Sequence, residues 1–473
     1  MKHLASILIL LLFSQMGHAQ TKGNTSYETL WTKVAQLEEE SLTISALEVV
    51  NTISKKSKKE QNSPQTIKAL LYSSKYSMVL EEESQLTIVN EFKSEINKAT
   101  TPTKNILESY LANLYWQYYQ QNRFEFYNRT KTETKEDHLD FRTWDLSTLF
   151  EEITFHFERS LEDKEVLQKL DINIFKDILD HQKDSKLYRP SLYDVLAHTA
   201  LDFYKTSENG IITPSYKFEL DQPKYFTSAE KFSVLTLNPK DSSSLQLKAL
   251  KLYQQLLTFH LKDKSPLAMV NVDIERLHFV KQYASIQEVD QYYLEALKNT
   301  ANSFKGDVAA LYHYEIAALY DQWAKNFLPI SDEKNQWKRK EALEICNAII
   351  EKYPKSVAAE KSLALKSQIL SRNLQLKAEG ALPINTASRI LVNYKNMDGL
   401  KLSAYTITEG EKVQLEKIYP IEKQKSFINK LQLAKQWTGT LKNVGDYQNH
   451  STEILLPALP NGLYVILAED DAT

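Results

Sequence analysis

Three side chains in the segment 191–204 have the types and the spacing to act together chemically. Asp194, His198 and Asp202 recur every fourth residue, so a helix would carry both carboxylates and the imidazole on one face. Such groups can bind zinc, but one helical row cannot supply tetrahedral geometry without ligands from elsewhere. The sequence therefore favours a hydrogen-bonded polar row over a metal half-site.

The chain has one cysteine, Cys346, in the apolar segment LEICNAII. A thiol becomes a nucleophile where a neighbour lowers its pKa, and the sequence places no such neighbour beside it. We expect a small buried side chain, and one cysteine cannot form an intrachain disulfide. GxSxG and HExxH motifs are also missing from the sequence. No catalytic, metal or cofactor-binding residues are predicted, and a hydrolase assembled from distant Asp, Glu and His residues is the least favoured function.

Five aromatic side chains crowd one stretch of predicted helix: Tyr110, Tyr115, Trp116, Tyr118 and Tyr119. Aromatic faces stack on sugars and on peptide side chains, so the stretch could be a binding platform. Alternatively, the rings wedge between packed helices and keep their hydroxyls at the rim. The second interpretation is favoured.

The elements that must position these residues are mainly helices. Apolar residues recur at intervals of three and four from Tyr27 onward, and only 10 of the 473 residues are glycine. Successive helices with short breaks predict an α-solenoid. After two helices within 27–59, the pattern places others at 64–80, 84–99, 103–123, 144–161, 167–181, 191–204, 243–262, 271–285 and 286–303.

A tetratricopeptide-like pair of helices is predicted at residues 308–354. Ala310, Ala317 and Ala342 are small enough to let two helices approach closely, and Pro354 ends the second helix. A further helix is expected at 357–370.

Two segments interrupt the helical pattern. Residues 130–140 are mixed in charge and poor in apolar side chains, which predicts a solvated connection. Residues 205–242 contain Asn209-Gly210 and three prolines, which predicts an irregular insertion that could include a short strand pair.

Beyond Pro383 the pattern changes to alternating strands. Four are predicted, at 389–394, 400–406, 453–456 and 463–467. Four strands are half of a β-sandwich, so we expect an incomplete sandwich with a free edge at residues 383–473. The expected domains are a signal peptide at 1–19, N-terminal helical repeats at 20–129, a second helical-repeat region at 130–382 and this partial sandwich.

The N-terminus has the pattern of a secretory signal. Lys2 precedes an apolar run of about ten residues, and small residues follow, which predicts cleavage between Ala19 and Gln20. The run is too short to span a bilayer, and no cysteine follows it to carry a lipid anchor. We expect a periplasmic or secreted protein with no stable membrane span after cleavage.

The charge balance is nearly even, with 58 basic and 61 acidic residues and a net charge of -3. It gives no sign of a polyanion-binding field, so nucleic acid is not an expected partner.

Four segments carry a resemblance to a known family. SALEVVNTI (45–53), RPSLYDVLAHTALDFY (189–204) and RILVNYKNMDGLKLSAYTI (389–407), with the signal peptide and the helical repeats, resemble the front part of bacterial alpha-2-macroglobulin family proteins. GLYVILAEDD (462–471) is similar to strands of the first macroglobulin domain of that family. The resemblance implies a mainly α fold in which a tetratricopeptide-like α-solenoid precedes a partial macroglobulin-like β-sandwich.

The family traps proteases with stacked β-sandwich domains, a bait segment and, in many members, an internal thioester. A thioester needs a CxEQ arrangement, whereas Cys346 is followed by Asn347, Ala348 and Ile349, so none is expected here. Bait and receptor-type domains would lie beyond Thr473, and we expect the chain to be a fragment or a truncated product.

The resemblance therefore implies a non-catalytic arm of a protease-trapping (endopeptidase inhibitor) envelope protein, whose partners are proteases or other envelope proteins. The alternative is a stand-alone periplasmic helical-repeat module that binds peptides or glycans.

Overall fold

A computed structural model of the chain describes residues 25–127, 140–179, 182, 184–206, 218–237, 241, 243–331 and 333–470. Within these residues the chain has 18 α-helices and six β-strands, and the strands lie in antiparallel sheets towards the C-terminus. The expected mainly helical chain with a C-terminal β region is confirmed at this level. The predicted cleavage site at Ala19 and Gln20, the connection at 130–139 and the Asn209-Gly210 turn lie outside the described residues.

The described residues form two compact units, unit 1 within 1–219 and 229–279, and unit 2 within 220–228 and 280–473. The domain limits expected from the sequence stay predictions. The helices of unit 1 are α1 Tyr27–Glu39, α2 Thr43–Lys59, α3 Ser63–Leu80, α4 Ser84–Lys98, α5 Thr103–Tyr127, α6 Leu146–Ser160, α7 Lys164–Leu167, α8 Ser185–Tyr188, α9 Leu192–Tyr204, α10 Ala229–Ser233, α11 Leu245–His260 and most of α12 Leu267–Tyr283.

Five helices of unit 1 begin at a residue whose side chain caps the helix. The side chain that precedes each of five helices accepts a hydrogen bond from the backbone N–H three residues on, which contributes about 1 kcal/mol per cap. These caps are Ser26, Asn62, Asp145, Ser191 and Ser244. The apolar faces predicted for the first two helices pack together around Val34, Ala46 and Ile53, all buried. Amphipathic spacing and capping thus account for most of these elements.

The predicted helix at 167–181 is wrong. Among the described residues of this segment, only Leu167, the last residue of α7, and a 3₁₀ turn at Ile172–Phe175 are helical. Asp171 lies between them in an extended conformation, and its carboxylate accepts a hydrogen bond from Asn173 N at 2.9 Å. A local side-chain bond of this kind competes with continuous helix.

The irregular insertion at 205–242 is described only in part. Its described residues contain a 3₁₀ turn at Pro223–Phe226 and the helix α10. They form no strand pair, and their one β-type contact is an isolated parallel bridge between Leu220 and Ala284.

Unit 2 begins with four helices, α13 Val289–Ser303, α14 Asp307–Ala324, α15 Lys338–Lys352 and α16 Val357–Leu370. The predicted pair 308–354 corresponds to α14 and α15. Ala310, Ala317 and Ala342 are fully buried, which lets the two helices approach closely.

Six strands follow, β1 Asn373–Lys377, β2 Ser388–Lys395, β3 Gly399–Thr406, β4 Gln432–Thr440, β5 His450–Leu456 and β6 Tyr464–Asp470, with short helices α17 Glu409–Glu416 and α18 Ile421–Ile428 before β4. They form two antiparallel sheets, in the orders β1-β2-β5 and β4-β3-β6. The count of four predicted strands is wrong because β1 and β4 were missed. Most side chains of β4 are exposed, so it lacks the apolar alternation that marks a half-buried strand.

The two sheets pack on one apolar core. Ile390 and Val392 of one sheet and Leu400 and Leu402 of the other belong to the same buried cluster. Gly439 of β4 faces Ile454 of the other sheet, and a Cβ built there would be 2.5 Å from Ile454 Cδ1. A side chain at position 439 would therefore require the Ile454 side chain to move.

Candidate binding groove

The three residues of the polar row predicted in α9 do not share one environment in the structure. Asp194 and His198 are buried, whereas the side chain of Asp202 is 76% exposed and pairs with Lys205 at 2.9 Å. Within the described part of the chain, no group of three or more His, Cys, Asp or Glu side chains is arranged to hold a metal ion.

Asp194 is the centre of a buried hydrogen-bonded line. Its carboxylate accepts hydrogen bonds from Ser191 N at 2.9 Å and Ser191 Oγ at 2.7 Å, which completes a capping box. Its other oxygen lies 2.7 Å from Nε2 of His260, the last residue of α11. The Nδ1 atom of His260 in turn lies 2.7 Å from Asp263. The line joins α9 to α11. His260, the partner of Asp194, could not be inferred from the local pattern around Asp194.

The pKa values of the two buried histidines of this region, His260 and His198, are shifted in opposite directions. Burial alone lowers the pKa of His260, but the hydrogen bonds and charges of Asp194 and Asp263 outweigh it and raise the pKa. Burial dominates for His198, whose pKa is lowered. Its Nδ1 donates to the Asp194 carbonyl at 2.8 Å, and its Nε2 lies 3.5 Å from Glu275. His260 therefore keeps its proton to a higher pH than a free imidazole does, whereas His198 loses its proton at a lower pH.

A groove opens beside the outer end of this line, where Asp263 is part of its wall. The groove encloses about 740 Å³ between the segment around α7 and the solvent side of α11. Its lining is mostly polar: Lys164, Glu165, Gln168, Lys169, Ser233, Lys251, Gln254, Gln255, Thr258, Phe259, Lys262 and Asp263.

A second groove of about 550 Å³ adjoins the first. The two share the lining residues Gln168, Lys169, Phe259 and Asp263, and Lys186 and Lys264 lie along the second. We call the joined pair the lysine groove. Because the two share four lining residues, we treat them as one channel on unit 1, in which Leu170, Leu187 and Pro190 form an apolar part of the second groove.

The lysine groove has charges that the described structure does not neutralise. Among the described residues, the ammonium groups of Lys164, Lys169, Lys251, Lys262 and Lys264 make no hydrogen bond or ion pair, and all five side chains are exposed. Only the sixth lysine, Lys186, is paired, with Asp171 at 2.6 Å. The six lysines outnumber the three carboxylates of the lining, and an excess of positive charge around a concave surface attracts anionic ligands.

The walls of the groove are held in place by packing and hydrogen bonds. Gln254 Nε2 donates to the carbonyls of Phe232 at 2.8 Å and Leu235 at 2.7 Å. Gln255 accepts from Tyr193 Oη at 2.9 Å, and Phe259 meets the Tyr193 ring edge-on. These contacts hold Gln254, Gln255 and Phe259 in place, whereas the five exposed lysines make no such contacts among the described residues.

The aromatic stretch of α5 is a packing feature. Tyr115 and Tyr119 are buried, and the Tyr119 ring stacks on Trp116. Trp116 also meets the edges of Phe150 and Phe203, which belong to α6 and α9. Rings occupied by neighbouring helices are not available to a sugar, so packing is confirmed for Tyr115, Trp116 and Tyr119. The expected position of the hydroxyls at the rim is wrong for Tyr115, whose Oη is buried without a hydrogen-bond partner among the described residues.

Cys346 is fully buried and free. Burial is the main reason that the pKa of its thiol is raised to about 11. The predicted burial of this side chain is confirmed. A thiol with a raised pKa is also a poor nucleophile, because little of it is present as thiolate.

A second buried histidine cluster was missed from the sequence. His156 of α6 lies 2.5 Å from Glu108 of α5 and 3.3 Å from Glu152, and Arg159 donates to Glu108 at 2.8 Å. Burial lowers the pKa of His156, but the two glutamates outweigh it and raise the pKa. The cluster ties α5 to α6 in the same manner as His260 ties α9 to α11.

Unit 2 contains a buried polar junction that was also missed. Arg339 of α15 donates to Asp321 at 3.0 Å, to the Tyr447 carbonyl at 2.9 Å and to Gln448 at 3.0 Å. Asp446 accepts from Gln336 at 3.0 Å. These contacts join the helical pair to the loop before β5, at residues separated by more than 100 positions in the chain.

Neither a protein-family model, nor a curated protein, nor a solved structure matches this chain. Among the helices of the described residues, none is both long and apolar enough to cross a bilayer.

Proposed function

We propose that this chain is a non-catalytic, protein-binding arm of an alpha-2-macroglobulin-like protease-trapping envelope protein. One observation carries the proposal. The segment 389–407, one of those that resemble that family, supplies most of β2 and β3. These are the central strands of the two sheets that share one core. Two antiparallel sheets packed face to face are the architecture that the resemblance implies.

The state of the most reactive side chains supports a binding role. Cys346 is buried with a raised pKa, and the His260 ring is fully buried between two carboxylates. A catalytic group must come within hydrogen-bond reach of its substrate, which these positions do not allow without local opening. A scaffold that presents surfaces to other proteins fits this arrangement better.

The proposed location is the periplasm or the outside of the cell, after removal of residues 1–19. N-terminal sequencing of the exported protein tests this part. We expect a mature chain that begins at Gln20, and an unprocessed or cytoplasmic chain would contradict the proposal.

The trapping role is tested with the complete product of the gene, incubated with a general endopeptidase. A trap hinders access of large substrates, so digestion of casein should fall while hydrolysis of a small chromogenic peptide continues. A variant product without residues 383–473 is the control. Equal loss of both activities would indicate an active-site inhibitor, and no loss of either would refute trapping.

The second candidate is a stand-alone periplasmic module that binds peptides or glycans. The specific observation in its favour is the lysine groove, in which five ammonium groups without a partner among the described residues surround a preformed channel. Direct binding without any effect on endopeptidases would favour this candidate over the first.

A further inference from the structure

We propose that the lysine groove binds an acidic peptide segment in an extended conformation. This inference rests on the proposed protein-binding role, and it names the chemistry of the partner. It applies to both candidate functions, because a trap arm and a stand-alone module would use the same channel.

The charge pattern of the groove favours a peptide carboxylate as the anion. Five lysines have no partner among the described residues, and each ammonium is a compact point charge with three donors. A side-chain carboxylate of glutamate or aspartate would pair with such a group at the rim. Pairs of this kind are individually weak in water, so several lysines along one channel are needed for useful affinity.

The groove also contains carboxylates, which would repel a ligand that carries only negative charges. Glu165, Asp171 and Asp263 lie among the lysines. A sulfated glycan would bring its charges against these carboxylates. A peptide offers a backbone N–H at nearly every residue, which the same carboxylates can accept.

The remaining lining fits the other parts of a peptide. The amides of Gln168 and Gln255 can bond to backbone carbonyls or N–H groups, since an amide side chain both donates and accepts. Phe259 lies where the two grooves meet and provides an apolar contact for one side chain of the ligand. The channel therefore suits a segment in which acidic residues alternate with an apolar one.

Asp263 connects the channel to the protein interior. It lines both grooves and also holds Nδ1 of His260, which holds Asp194 at the start of α9. The channel wall is thereby fixed to the buried line before any ligand arrives. A preformed wall lowers the entropy cost of binding.

Fluorescence anisotropy with the full chain tests the proposal. The probe is a fluorescein-labelled short peptide of alternating glutamate and leucine, and the same peptide with lysine in place of glutamate is the ligand control. We expect binding of the acidic probe only. The affinity should fall as salt is raised, because the Debye length shrinks from ~10 Å at 0.1 M to ~3 Å at 1 M ionic strength.

Paired charge reversals locate the site. The double variant Lys169→Glu and Lys262→Glu should weaken binding of the acidic probe about tenfold, since each exposed ion pair contributes a factor of about 1.5 to 5 and reversal adds repulsion. Lys33→Glu is the matched control, because Lys33 is an exposed lysine of unit 1 outside the groove. It should change the affinity less than about twofold, because a single exposed charge away from the ligand contributes little in water. Circular dichroism of each variant confirms that the fold is retained.

Three outcomes would overturn the proposal. The first is no binding of the acidic probe at low salt. The second is equal weakening by the groove variant and by Lys33→Glu. The third is displacement of the probe by a sulfated oligosaccharide at lower concentrations than by unlabelled acidic peptide, which would assign the groove to glycans. None of these involves an endopeptidase, so a failure of the trapping role is distinguishable from a failure of this inference.

Discussion

Replacement of His260 by alanine tests the view that the buried line from Asp194 to Asp263 stabilises unit 1. Both His260 and Asp194 have fully buried side chains, 2.7 Å apart. Removing one partner of a buried ion pair costs about 3–5 kcal/mol. Asp194 keeps its two bonds from Ser191, so we expect the lower end of that range, about 3 kcal/mol.

The effect of His260→Ala should also depend on pH. The pKa of His260 is raised in the folded chain, so its stabilisation is fully present below the unfolded value of about 6.5. It is lost as the pH rises through the folded pKa. The destabilisation by His260→Ala should therefore be largest near pH 6 and should shrink at alkaline pH. The pKa of His156 is raised as well, so the variant should retain a second pH dependence of the same sign.

Hydrogen exchange followed by mass spectrometry is the assay, because it reports the opening of individual helices in a chain with more than one unit. Peptides from α9 and α11 should exchange about a hundredfold faster in His260→Ala at pH 6, since about 1.4 kcal/mol corresponds to a factor of ten. His260→Gln is the matched variant, because its amide can still donate to Asp194 but cannot carry a charge. It should recover part of the loss and show no decline of the effect with pH.

The exposed ring of His313 in unit 2 provides a second control, and His313→Ala should leave exchange in α9 and α11 unchanged. A loss below about 1 kcal/mol in His260→Ala at pH 6 would refute the reasoning, because that value is ordinary for an average substitution. A destabilisation that grows with pH would refute it equally, since the sign of the linkage would then be reversed.

Three further predictions concern unit 2. Cys346 should resist iodoacetamide in the native chain at pH 8 and react only after unfolding in urea, because its pKa is about 11 and its side chain is buried; stoichiometric labelling of the native chain would contradict this. Gly439→Val should cost about 1–3 kcal/mol by overpacking the two sheets, measured by chemical denaturation, and Ile454→Ala in the same chain should recover part of the loss. Arg339→Met should destabilise unit 2 by about 3 kcal/mol because Asp321 is left buried without its main partner; a change in melting temperature no larger than that of Arg339→Lys would argue against it.

Several elements could be predicted because their signals are local. Apolar spacing of three and four marked most helices of both units. Strand β2 alternates between buried and less buried side chains over most of its length. In β3 the apolar residues alternate in the sequence, although Ser403 between Leu402 and Ala404 is buried as well. Strand β4 could not be predicted, because its side chains are mostly exposed and the sequence therefore shows no apolar alternation. It is a strand because its backbone pairs with β3.

The amino-acid sequence by itself determined that the chain is mainly helical with β-strands near its C-terminus, that Cys346 is buried, and that a helix covers most of 191–204. Only the tertiary structure decided what these parts build. It placed His260 against Asp194 across 66 residues, and it brought lysines from the segments 164–169 and 251–264 around one channel. The physical reason is range: helix and strand signals depend on neighbours a few residues apart, whereas a buried ion pair or a groove depends on which helices pack together.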